Sequence, residues 1–280
     1  AANAYSHQAV SKIFKLKKRT KKNPLIVHYV NLKDLNRDCY LNNYFFKLYK
    51  KFCPGPITFI LKKKIGSNIN DLVLAKLETV AVRFPSHKIM RSILRNLDFP
   101  LAMPSANISS NLSPVCAKDV AEEFKKKIKF ILDGGKSKIG IESTVIDLTS
   151  KPKILRPGII GKETIDKILK TKTYLNKKNI KLKSPGLLKK HYSPGIPVFL
   201  NRSTAKKNYA LITLGKKYKK SFNSFNLSKK SNLKEAASNL YAVLRKIKKL
   251  KYEGINVVKI PNIGPGIAIN DRLKRASQKK

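Results

Sequence analysis

The stretch TVAVRFP, residues 79–85, decides the fold class that we expect for this chain. Its apolar residues run almost without interruption up to Pro85, which is typical of a short strand buried within a sheet. Helical patterns separate this run from others like it. The comparable runs are PLIVH at 24–28, ITFIL at 57–61, FPLAM at 99–103 and STVIDL at 143–148. The alternation predicts an α/β domain over roughly the first two-thirds of the chain.

The other elements of this domain follow from caps, periodicity and breakers. Ser6 can cap a helix whose apolar positions recur at helical spacing, and Ser86 can cap another that runs to about Leu97. We also predict helices at Tyr44–Phe52 and Asp119–Lys127, and strands at Phe130–Leu132 and Lys153–Arg156.

A change in composition marks the end of this domain. Residues 171–190 hold seven Lys and no acidic residue around Ser184-Pro185-Gly186, which is typical of an interdomain linker. A second α/β unit follows, with strands at Tyr209–Leu214 and Ile255–Ile260, a capping box at Asn232 and Glu235 before a helix to Lys249, and a final helix at Ile267–Ser277. We therefore predict a main domain at 1–170, a linker at 171–196 and a small domain at 197–280.

A net charge of +45 over 280 residues normally suggests a polyanion as partner, but the charge alone does not set the function. Only ten of the 61 basic residues are Arg, and the Lys are spread over the whole length. Nucleic-acid-binding modules instead concentrate Arg and aromatic residues on one face. A compositional bias of the source genome and an RNA-binding surface therefore both remain open.

Several function classes are disfavoured. The widely separated Cys39, Cys53 and Cys116 argue against a disulfide framework and a zinc site. No apolar run approaches the length of a membrane span and the first residues do not read as a signal peptide, so we expect a cytoplasmic protein with no membrane partner. No phosphate loop, serine-hydrolase elbow or zinc-protease motif occurs, and GPGIAI at 264–269 lacks the third glycine of a dinucleotide fingerprint.

Charged residues near strands are candidates for a ligand site. In extended backbone, Lys17 and Arg19 would point the same way and suit a polyphosphate, although a solvated basic patch would look the same. His28 ends an apolar strand, where a core histidine is the alternative. Arg83, at the end of the strand at 79–85, can grip a carboxylate with two parallel bonds, and a surface salt bridge is the competing interpretation.

Small polar residues stand at the ends of two further strands. Ser105 and Asn107 follow the run at 99–103, which suits close approach to a ligand as well as an ordinary Asx or Ser turn. Glu142, Ser143 and Thr144 open an otherwise apolar strand, an awkward choice for packing alone.

Taken in order, these segments resemble a known family. KxR with NPLIVH, PGPITFIL, TVAVRFP, PSAN, GIESTVIDL and LRPG resemble the YrdC-like domain over residues 1 to about 165. SPG with HYSP at 184–194 resembles the linker of the two-domain threonylcarbamoyl-AMP synthases, and NLKEAASNLYAVLRKI with GPGIAINDRLKRAS resembles their C-terminal domain. The resemblance implies a twisted, open, mixed sheet with flanking helices, plus a small Rossmann-like α/β C-terminal domain.

The resemblance also implies an activity. It implies formation of threonylcarbamoyl-AMP and pyrophosphate from L-threonine, bicarbonate or CO2, and ATP, with Mg²⁺ beside the phosphates. The product would pass to a separate tRNA threonylcarbamoyl transferase complex that modifies the adenosine beside the anticodon. RNA or tRNA contact through the basic surface is a further expectation, and the linker would act as a lid that excludes water.

The family's motifs imply roles for individual residues. The catalytic positions are Lys17, Arg19, Ser105 and Asn107. The ATP-binding positions are Arg19, Asn23, Thr79, Met103, Ser105, Ser113, Arg156 and Tyr192, of which Tyr192 would close over the nucleotide. The L-threonine-binding positions are His28, Arg83 and Ser143, and no residue is assigned to a metal.

Two features depart from the family's pattern. The family's domain begins with a PTETVYGLG-like strand and turn, and residues 1–4 match the family's residues immediately after that turn. We therefore expect one threonine contact and at least one sheet strand to be missing, and the chain alone to be inactive or poorly folded. Cys53 stands where relatives carry Trp before PGP, a change that we expect to repack the core only.

Two other functions stay in view. The charge would also fit a YrdC-like module that binds double-stranded RNA or tRNA without synthase activity, and salt-dependent RNA binding without ATP or threonine binding would indicate it. A carbamoyl-transfer domain of a larger enzyme is disfavoured, because zinc-ligand cysteines are absent and SPG…HYSP is present.

Overall fold

The computed structural model describes residues 1–175, 191–218 and 221–278. The strands are β1 (Ala2–Asn3), β2 (Ile26–His28), β3 (Ile57–Lys62), β4 (Thr79–Arg83), β5 (Leu101–Ala102), β6 (Thr144–Asp147), β7 (Lys153–Arg156), β8 (Tyr174–Leu175), β9 (Val198–Leu200), β10 (Tyr209–Thr213), β11 (Ser224–Asn226) and β12 (Gly254–Val257). The helices are α1 (His7–Lys17), α2 (Leu32–Asp38), α3 (Asn43–Phe52), α4 (Asp71–Leu74), α5 (Lys88–Arg95), α6 (Ala117–Phe124), α7 (Lys162–Leu169), α8 (Leu233–Lys249) and α9 (Pro265–Ala276), with a 3-10 turn at Lys125–Lys127. None of the helices in these ranges is both long and apolar enough to cross a membrane.

Contacts divide the chain into two compact units. The first unit comprises Ala1–Ser105 and the described part of Ser143–Leu187, and the second comprises Ala106–Glu142 and the described part of Leu188–Lys280. The segment 106–142 therefore packs with the C-terminal part of the chain, although it lies between two motifs of the main domain. The segmentation into 1–170, 171–196 and 197–280 stays a prediction, and Ser184-Pro185-Gly186 of the predicted linker lies outside the described residues.

The first unit is built on a mixed sheet of eight described strands, in the order β1-β5-β2-β4-β3-β6-β7-β8. Strand β4 lies near its centre, parallel to β2 and antiparallel to β3, and β6 is parallel to β3. Val80 and Val82 of β4 are fully buried, and Ala81 between them is nearly so. The buried strand that TVAVRFP predicts is therefore confirmed, as is the mixed α/β fold class.

Side chains of this sheet alternate between two faces. On one face Val27, Phe59 and Val82 join the large core that includes the apolar sides of α1 and α3. There the rings of Phe45 and Phe59 meet edge to face, with centroids 5.0 Å apart. The smaller cluster on the other face consists of Ile26, Ile60, Ala81, Val145 and Leu155. Both faces of the central strands are thus covered, which explains their nearly continuous apolar runs.

The two predicted serine caps have different outcomes. The Ser6 hydroxyl accepts a hydrogen bond from the Ala9 amide at 3.2 Å, so the N-cap of α1 is confirmed. The Ser86 cap is wrong, because α5 begins at Lys88 and the cap position belongs to His87, which makes no side-chain capping bond. Ser86 lies one residue too early to accept from the first turn.

The strand predicted at Phe130–Leu132 is wrong. These residues form an irregular segment in which Phe130 is 89% exposed and Leu132 is 69% exposed. No strand of the described ranges pairs with them, and an apolar run becomes a strand only where a neighbouring backbone accepts its hydrogen bonds. Helices α2 and α7 were not predicted, and α2 begins at a cap in which Asn31 Oδ1 accepts from the Asp34 amide.

The second unit contains a small parallel sheet in the order β11-β10-β12-β9, which confirms the predicted Rossmann-like α/β architecture of the C-terminal part. Asn232 caps α8, since its Oδ1 accepts from the amides of Lys234 and Glu235. The Glu235 carboxylate accepts from Ser228 Oγ at 2.6 Å, and the Asn232 amide donates to the same hydroxyl at 3.0 Å. In the predicted capping box the Glu235 carboxylate would accept directly from the Asn232 amide. Instead the Ser228 hydroxyl lies between these two groups and bonds to both.

Candidate functional site

Parallel strands β2 and β4 begin at one edge of the sheet and end at the other. We call these the Asn23 edge, after the residue that precedes β2, and the Arg83 edge, after the residue that ends β4. Strand β5 runs antiparallel to β2, so the residues that follow β5 return to the Asn23 edge. The predicted nucleotide residues of the first unit therefore collect there, apart from Arg156. The set consists of Lys17, Arg19, Asn23, Thr79, Met103 and Ser105.

Main-chain oxygens hold the two cations of the Asn23 edge. Lys17 is buried at the end of α1, and its Nζ donates to the Ser105 carbonyl at 2.5 Å. Arg19 donates from Nε to the Asn23 carbonyl at 3.0 Å and from Nη2 to the Pro24 carbonyl at 2.7 Å. The main-chain oxygens of Ser105 and Asn23, two other residues predicted for the site, therefore fix the positions of both cations.

The backbone between these cations is not extended, contrary to the expectation from the sequence. Helix α1 continues to Lys17, and Lys18 adopts a left-handed conformation with φ 49°. The Lys18 amide bonds to the Lys15 carbonyl at 3.2 Å, and the Arg19 amide bonds to the Phe14 carbonyl at 2.9 Å. This closure of the helix, and not strand geometry, turns the chain toward Asn23.

Asn23 has the least satisfied side chain of this edge. The residue is 1% exposed, yet neither its Oδ1 nor its Nδ2 has a hydrogen-bond partner among the described residues. Buried amides almost always find partners, because leaving one unpaired costs about 1–3 kcal/mol. An unpaired amide beside two ordered cations indicates a polar ligand that completes it.

The other two candidates of this edge belong to the sheet. Met103 donates its amide to the Ile26 carbonyl at 2.9 Å, so its N–H serves the sheet. Its carbonyl is therefore the backbone group that it can offer to a ligand. Thr79 is half-buried where β4 begins, opposite Lys62 of β3.

The Arg83 edge contains the three residues predicted to bind threonine. His28 and Arg83 are neighbours in the parallel register of β2 and β4. Arg83 Nε lies 3.4 Å from the Gly55 carbonyl, which holds the guanidinium at the end of its strand. Ser143 immediately precedes β6, whose parallel partner β3 begins at this same edge.

His28 is a buried, neutral histidine. It is 5% exposed, and its Nδ1 lies 3.1 Å from the Ile26 carbonyl, to which it donates as the neutral tautomer. Burial, followed by the nearby charge of Arg83, lowers the pKa of His28 to about 3. At neutral pH the ring therefore acts as a hydrogen-bonding group without charge beside a cation.

Ser143 and Arg156 form one buried network at this edge. The Ser143 hydroxyl lies 2.7 Å from Thr58 Oγ1 and 3.1 Å from Arg156 Nη2. Arg156 also donates to the Ser143 carbonyl from Nε at 3.2 Å and from Nη2 at 3.0 Å. A residue predicted for threonine therefore contacts a residue predicted for the nucleotide. Gly158 is needed beside them, since a Cβ there would lie 2.4 Å from the Thr144 amide.

The second unit contains the remaining three candidates, which are Asn107, Ser113 and Tyr192. Asn107 Nδ2 donates to the carbonyls of Ile108 and Asn111, both at 2.9 Å. Ser113 Oγ donates to Glu142 Oε1 at 2.8 Å. Tyr192 is buried, with φ 61°.

A buried ion pair in this unit was missed by the sequence analysis. Arg272 is 1% exposed and donates from Nε to Glu142 Oε2 at 2.8 Å, while the Tyr241 hydroxyl donates to the same carboxylate. The Arg272 guanidinium also lies 5.4 Å from the centre of the Tyr192 ring. Burial opposes the charge of Arg272, but Tyr192 and Glu142 hold its pKa well above the usual value. The signal available in the sequence was an Arg in a lysine-rich chain, since Arg suits buried ion pairs better than Lys.

The described residues contain no group of three or more His, Cys, Asp or Glu side chains that could hold a metal ion. The basic and amide groups of the Asn23 edge are donors, which suit phosphate oxygens better than a cation.

Comparisons with known proteins cover nearly the whole chain. The Sua5/YciO/YrdC family model, described as telomere recombination, matches residues 1–158. A second model, described as the threonylcarbamoyl-AMP synthase C-terminal domain, matches residues 160–278.

Individual relatives agree with these models. The threonylcarbamoyl-AMP synthase of Pyrococcus abyssi is 34% identical over 301 aligned residues, which cover 99% of this chain and 86% of the relative. The enzyme of the same name from Bacillus subtilis is 34% identical over 298 residues, covering 99% and 85%. The crystal structure of P. abyssi Sua5 complexed with L-threonine superposes with a TM-score of 0.89 at 32% identity, covering 98% of this chain and 86% of that one.

Proposed function

This chain belongs to the threonylcarbamoyl-AMP synthase family, and from that membership we propose that it is an L-threonylcarbamoyladenylate synthase. It is a nucleotidyltransferase that uses L-threonine, bicarbonate or CO2, and ATP, and releases pyrophosphate. The observation that carries the proposal within the site is the Ser143–Arg156 contact, which joins a threonine-side residue to a nucleotide-side residue.

The Arg83 edge fits an amino acid. The Arg83 guanidinium would bind the threonine carboxylate with two parallel bonds. His28, neutral at physiological pH because its pKa is lowered to about 3, adds a hydrogen bond without repelling the substrate's ammonium or carbamate group. Ser143 supplies a hydroxyl whose position Arg156 and Thr58 fix.

The Asn23 edge suits a nucleoside triphosphate as its ligand. Lys17 and Arg19 supply positive charge that is anchored by carbonyl oxygens and so needs little reorganisation when phosphates bind. Asn23 would gain the hydrogen bonds that its buried amide lacks among the described residues. Thr79, the Met103 carbonyl and Ser105 complete this half of the proposed site.

Asn107, Ser113 and Tyr192 are assigned to the catalytic and nucleotide roles by the family's motifs, and these assignments are proposals. Residues 176–190 lie outside the described ranges, so the lid role of the linker and of Tyr192 rests on sequence resemblance.

The proposed reaction needs no protein nucleophile. The amino group of threonine adds to CO2 and loses a proton, which gives a carbamate. A carbamate oxygen then attacks the α-phosphorus of ATP, and the bond between that phosphorus and the bridging oxygen of the β-phosphate breaks, so that pyrophosphate leaves. The protein's contribution is to hold the two reactants in line and to stabilise charge on the phosphates. Mg²⁺ is part of this proposal and would be bound through the phosphates of ATP, where it neutralises charge.

The product would be consumed by a tRNA threonylcarbamoyl transferase complex, since a mixed carbamic–phosphoric anhydride is an activated acyl donor. That partner, RNA contact through the basic surface and a cytoplasmic location are predictions that accompany the proposed function.

Separate substitutions at the two edges, made in the full-length protein, test the proposal. Arg83→Ala should raise the Kd for L-threonine by roughly 10- to 100-fold and leave ATP affinity almost unchanged, since a hydrogen bond to a charged group contributes about 1.5–3 kcal/mol. Arg19→Ala should do the reverse. Calorimetry with each substrate and pyrophosphate release measure both effects.

Arg37→Ala is the matched control, because Arg37 is 55% exposed and pairs with Asp34 on the surface. It should behave as the wild type. Equal loss of both affinities in Arg83→Ala, or ATP turnover that persists in Arg19→Ala, would show that the residues are assigned wrongly. Salt-dependent RNA binding by a wild-type protein that binds neither ATP nor threonine would favour the RNA-binding alternative.

A further inference from the structure

The loop of residues 107–115, which we call the 107–115 loop, has little regular structure of its own but is densely hydrogen-bonded. It carries Asn107 and Ser113, two residues of the proposed nucleotide site. Asn107 bonds within the loop to the carbonyls of Ile108 and Asn111. These internal bonds shape only its first half.

Two carboxylates of helix α6 hold the loop from outside. Glu123 Oε1 accepts from the Ile108 amide at 3.1 Å and from Asn111 Nδ2 at 2.6 Å. Asp119 Oδ2 accepts from the Val115 amide at 2.8 Å. Both ends of the loop therefore depend on where these two carboxylates stand.

One side chain from helix α8 connects all of these groups. Arg245 donates from Nη2 to the Leu112 carbonyl at 2.9 Å and from Nε to the Ser113 carbonyl at 3.1 Å. Its guanidinium also lies 3.6 Å from both Asp119 Oδ2 and Glu123 Oε2. The side chain is only 11% exposed.

We propose that Arg245 is a positioning residue for the proposed synthase reaction, acting through the 107–115 loop. It binds the backbone at Ser113 directly and fixes the two carboxylates that hold the ends of the loop. Helix α8 thereby contributes to nucleotide binding without touching the nucleotide. This inference rests on the proposed function, since the loop matters for activity only if Asn107 and Ser113 serve the nucleotide.

The planar guanidinium is essential to this role. Its donors can serve two carbonyls and two carboxylates at once from one fixed plane, whereas the single ammonium of Lys concentrates its charge at one point. Lys249, one helical turn further along α8, forms an ordinary surface ion pair. It is 55% exposed and pairs with Glu122 of the same helix α6 at 2.8 Å. Lys249 and Arg245 thus bridge the same two helices, one at the surface and one inside.

The test compares Arg245→Met, Arg245→Lys and the control Lys249→Met in the whole protein. Arg245→Met should weaken ATP binding between about 10- and 100-fold, because small displacements of binding groups have effects of this size, and should leave L-threonine affinity within about twofold. Arg245→Lys should fall between Arg245→Met and the wild type, and Lys249→Met should match the wild type.

Hydrogen exchange gives a second readout that is independent of activity. In both Arg245 variants the amides of Ile108 and Val115 should exchange at least roughly tenfold faster, while the amides in the middle of α8 keep their protection. If Arg245→Met does not fold, Arg245→Lys decides the question by the same measurement. Lys249→Met should leave the loop amides unchanged.

Three outcomes would overturn the proposal. These are wild-type ATP affinity in folded Arg245→Met, equal loss of ATP and threonine affinity, and unchanged exchange in the loop. Ser113→Ala and Asn107→Ala separate this proposal from the proposed function. If neither weakens ATP binding while Arg245→Met speeds loop exchange, the assignment of those two residues fails, and with it the role of Arg245 in the reaction.

Discussion

Two buried polar clusters, one in each unit, differ in how their groups are paired. In the first unit, Asn23 is buried with no partner for its amide among the residues described, and Lys17 and Arg19 are anchored by carbonyl oxygens. In the second unit, Arg245 and Arg272 each meet carboxylates, which accept further bonds from amides and hydroxyls. A satisfied network rigidifies the structure around it, whereas an unsatisfied group lowers the stability of the free protein until a ligand completes it. The comparison separates residues that bind a ligand from residues that hold a scaffold.

The largest effect is expected from breaking the satisfied network of the second unit. Glu142→Gln leaves Asp271 as the carboxylate partner of the buried Arg272 and also weakens the bonds from Ser113 and Tyr241. We expect the free energy of unfolding to fall by about 3 kcal/mol, the lower end of the usual cost of breaking a buried ion pair, because Asp271 still compensates part of the charge. Urea denaturation followed by circular dichroism measures it.

Glu122→Gln is the control for that prediction, because it removes an exposed ion pair with Lys249. Its cost should be no more than about 1 kcal/mol. The double variant Glu142→Gln with Arg272→Met should recover part of the loss, since no charge is then left buried. Equal costs for the two single variants would contradict the stabilising role of the buried Glu142 network, because it would then contribute no more than a surface ion pair.

A smaller effect is expected from acid acting on the first unit. The pKa of His28 is lowered from 6.5 to about 3 by burial and by Arg83, so between these values the unfolded chain binds a proton that the folded chain excludes. Stability should therefore fall as pH decreases below 6.5, by up to about 1.4 kcal/mol per pH unit from this residue. His28 has no such effect above pH 6.5.

His28→Gln isolates this contribution. Unfolding free energies of the wild type and the variant, measured from pH 7 to pH 4, should show a shallower decline in the variant. Parallel curves would mean that His28 is protonated equally in the folded and unfolded states, against the burial seen here.

The smallest expected effect is a gain in stability. Asn23→Leu replaces an unsatisfied buried amide by an apolar group of similar size, so we expect the protein to become more stable by about 1 kcal/mol and to lose ATP binding. Asn111→Leu is the matched substitution in the second unit, where the amide donates to Glu123 at 2.6 Å, and it should destabilise. Thermal unfolding with and without ATP distinguishes the two, and destabilisation by both would remove the contrast.

Much of the fold could be predicted from local signals. TVAVRFP at 79–85 is a central buried strand because apolar side chains on both of its faces need two covering layers. The nearly continuous apolar run in the sequence already indicates this. Ser6 caps α1 through an amide three residues away, which is also a local matter. Phe130–Leu132 shows the limit: the run has strand character, but a strand also requires a neighbour that the local sequence does not specify.

The sequence by itself determined the α/β class, the order of the motifs and the family, because these depend on periodicity and on residue identities along the chain. Only the tertiary structure decided which of those residues meet. It brought Lys17 to the Ser105 carbonyl across 88 residues at one edge of the sheet, and it joined Ser143 to Arg156 across 13 residues. It also brought Arg245 to the 107–115 loop, 132 residues away from Ser113 in the chain. Contacts of such separation are selected by the packing of whole elements, and no local pattern encodes them.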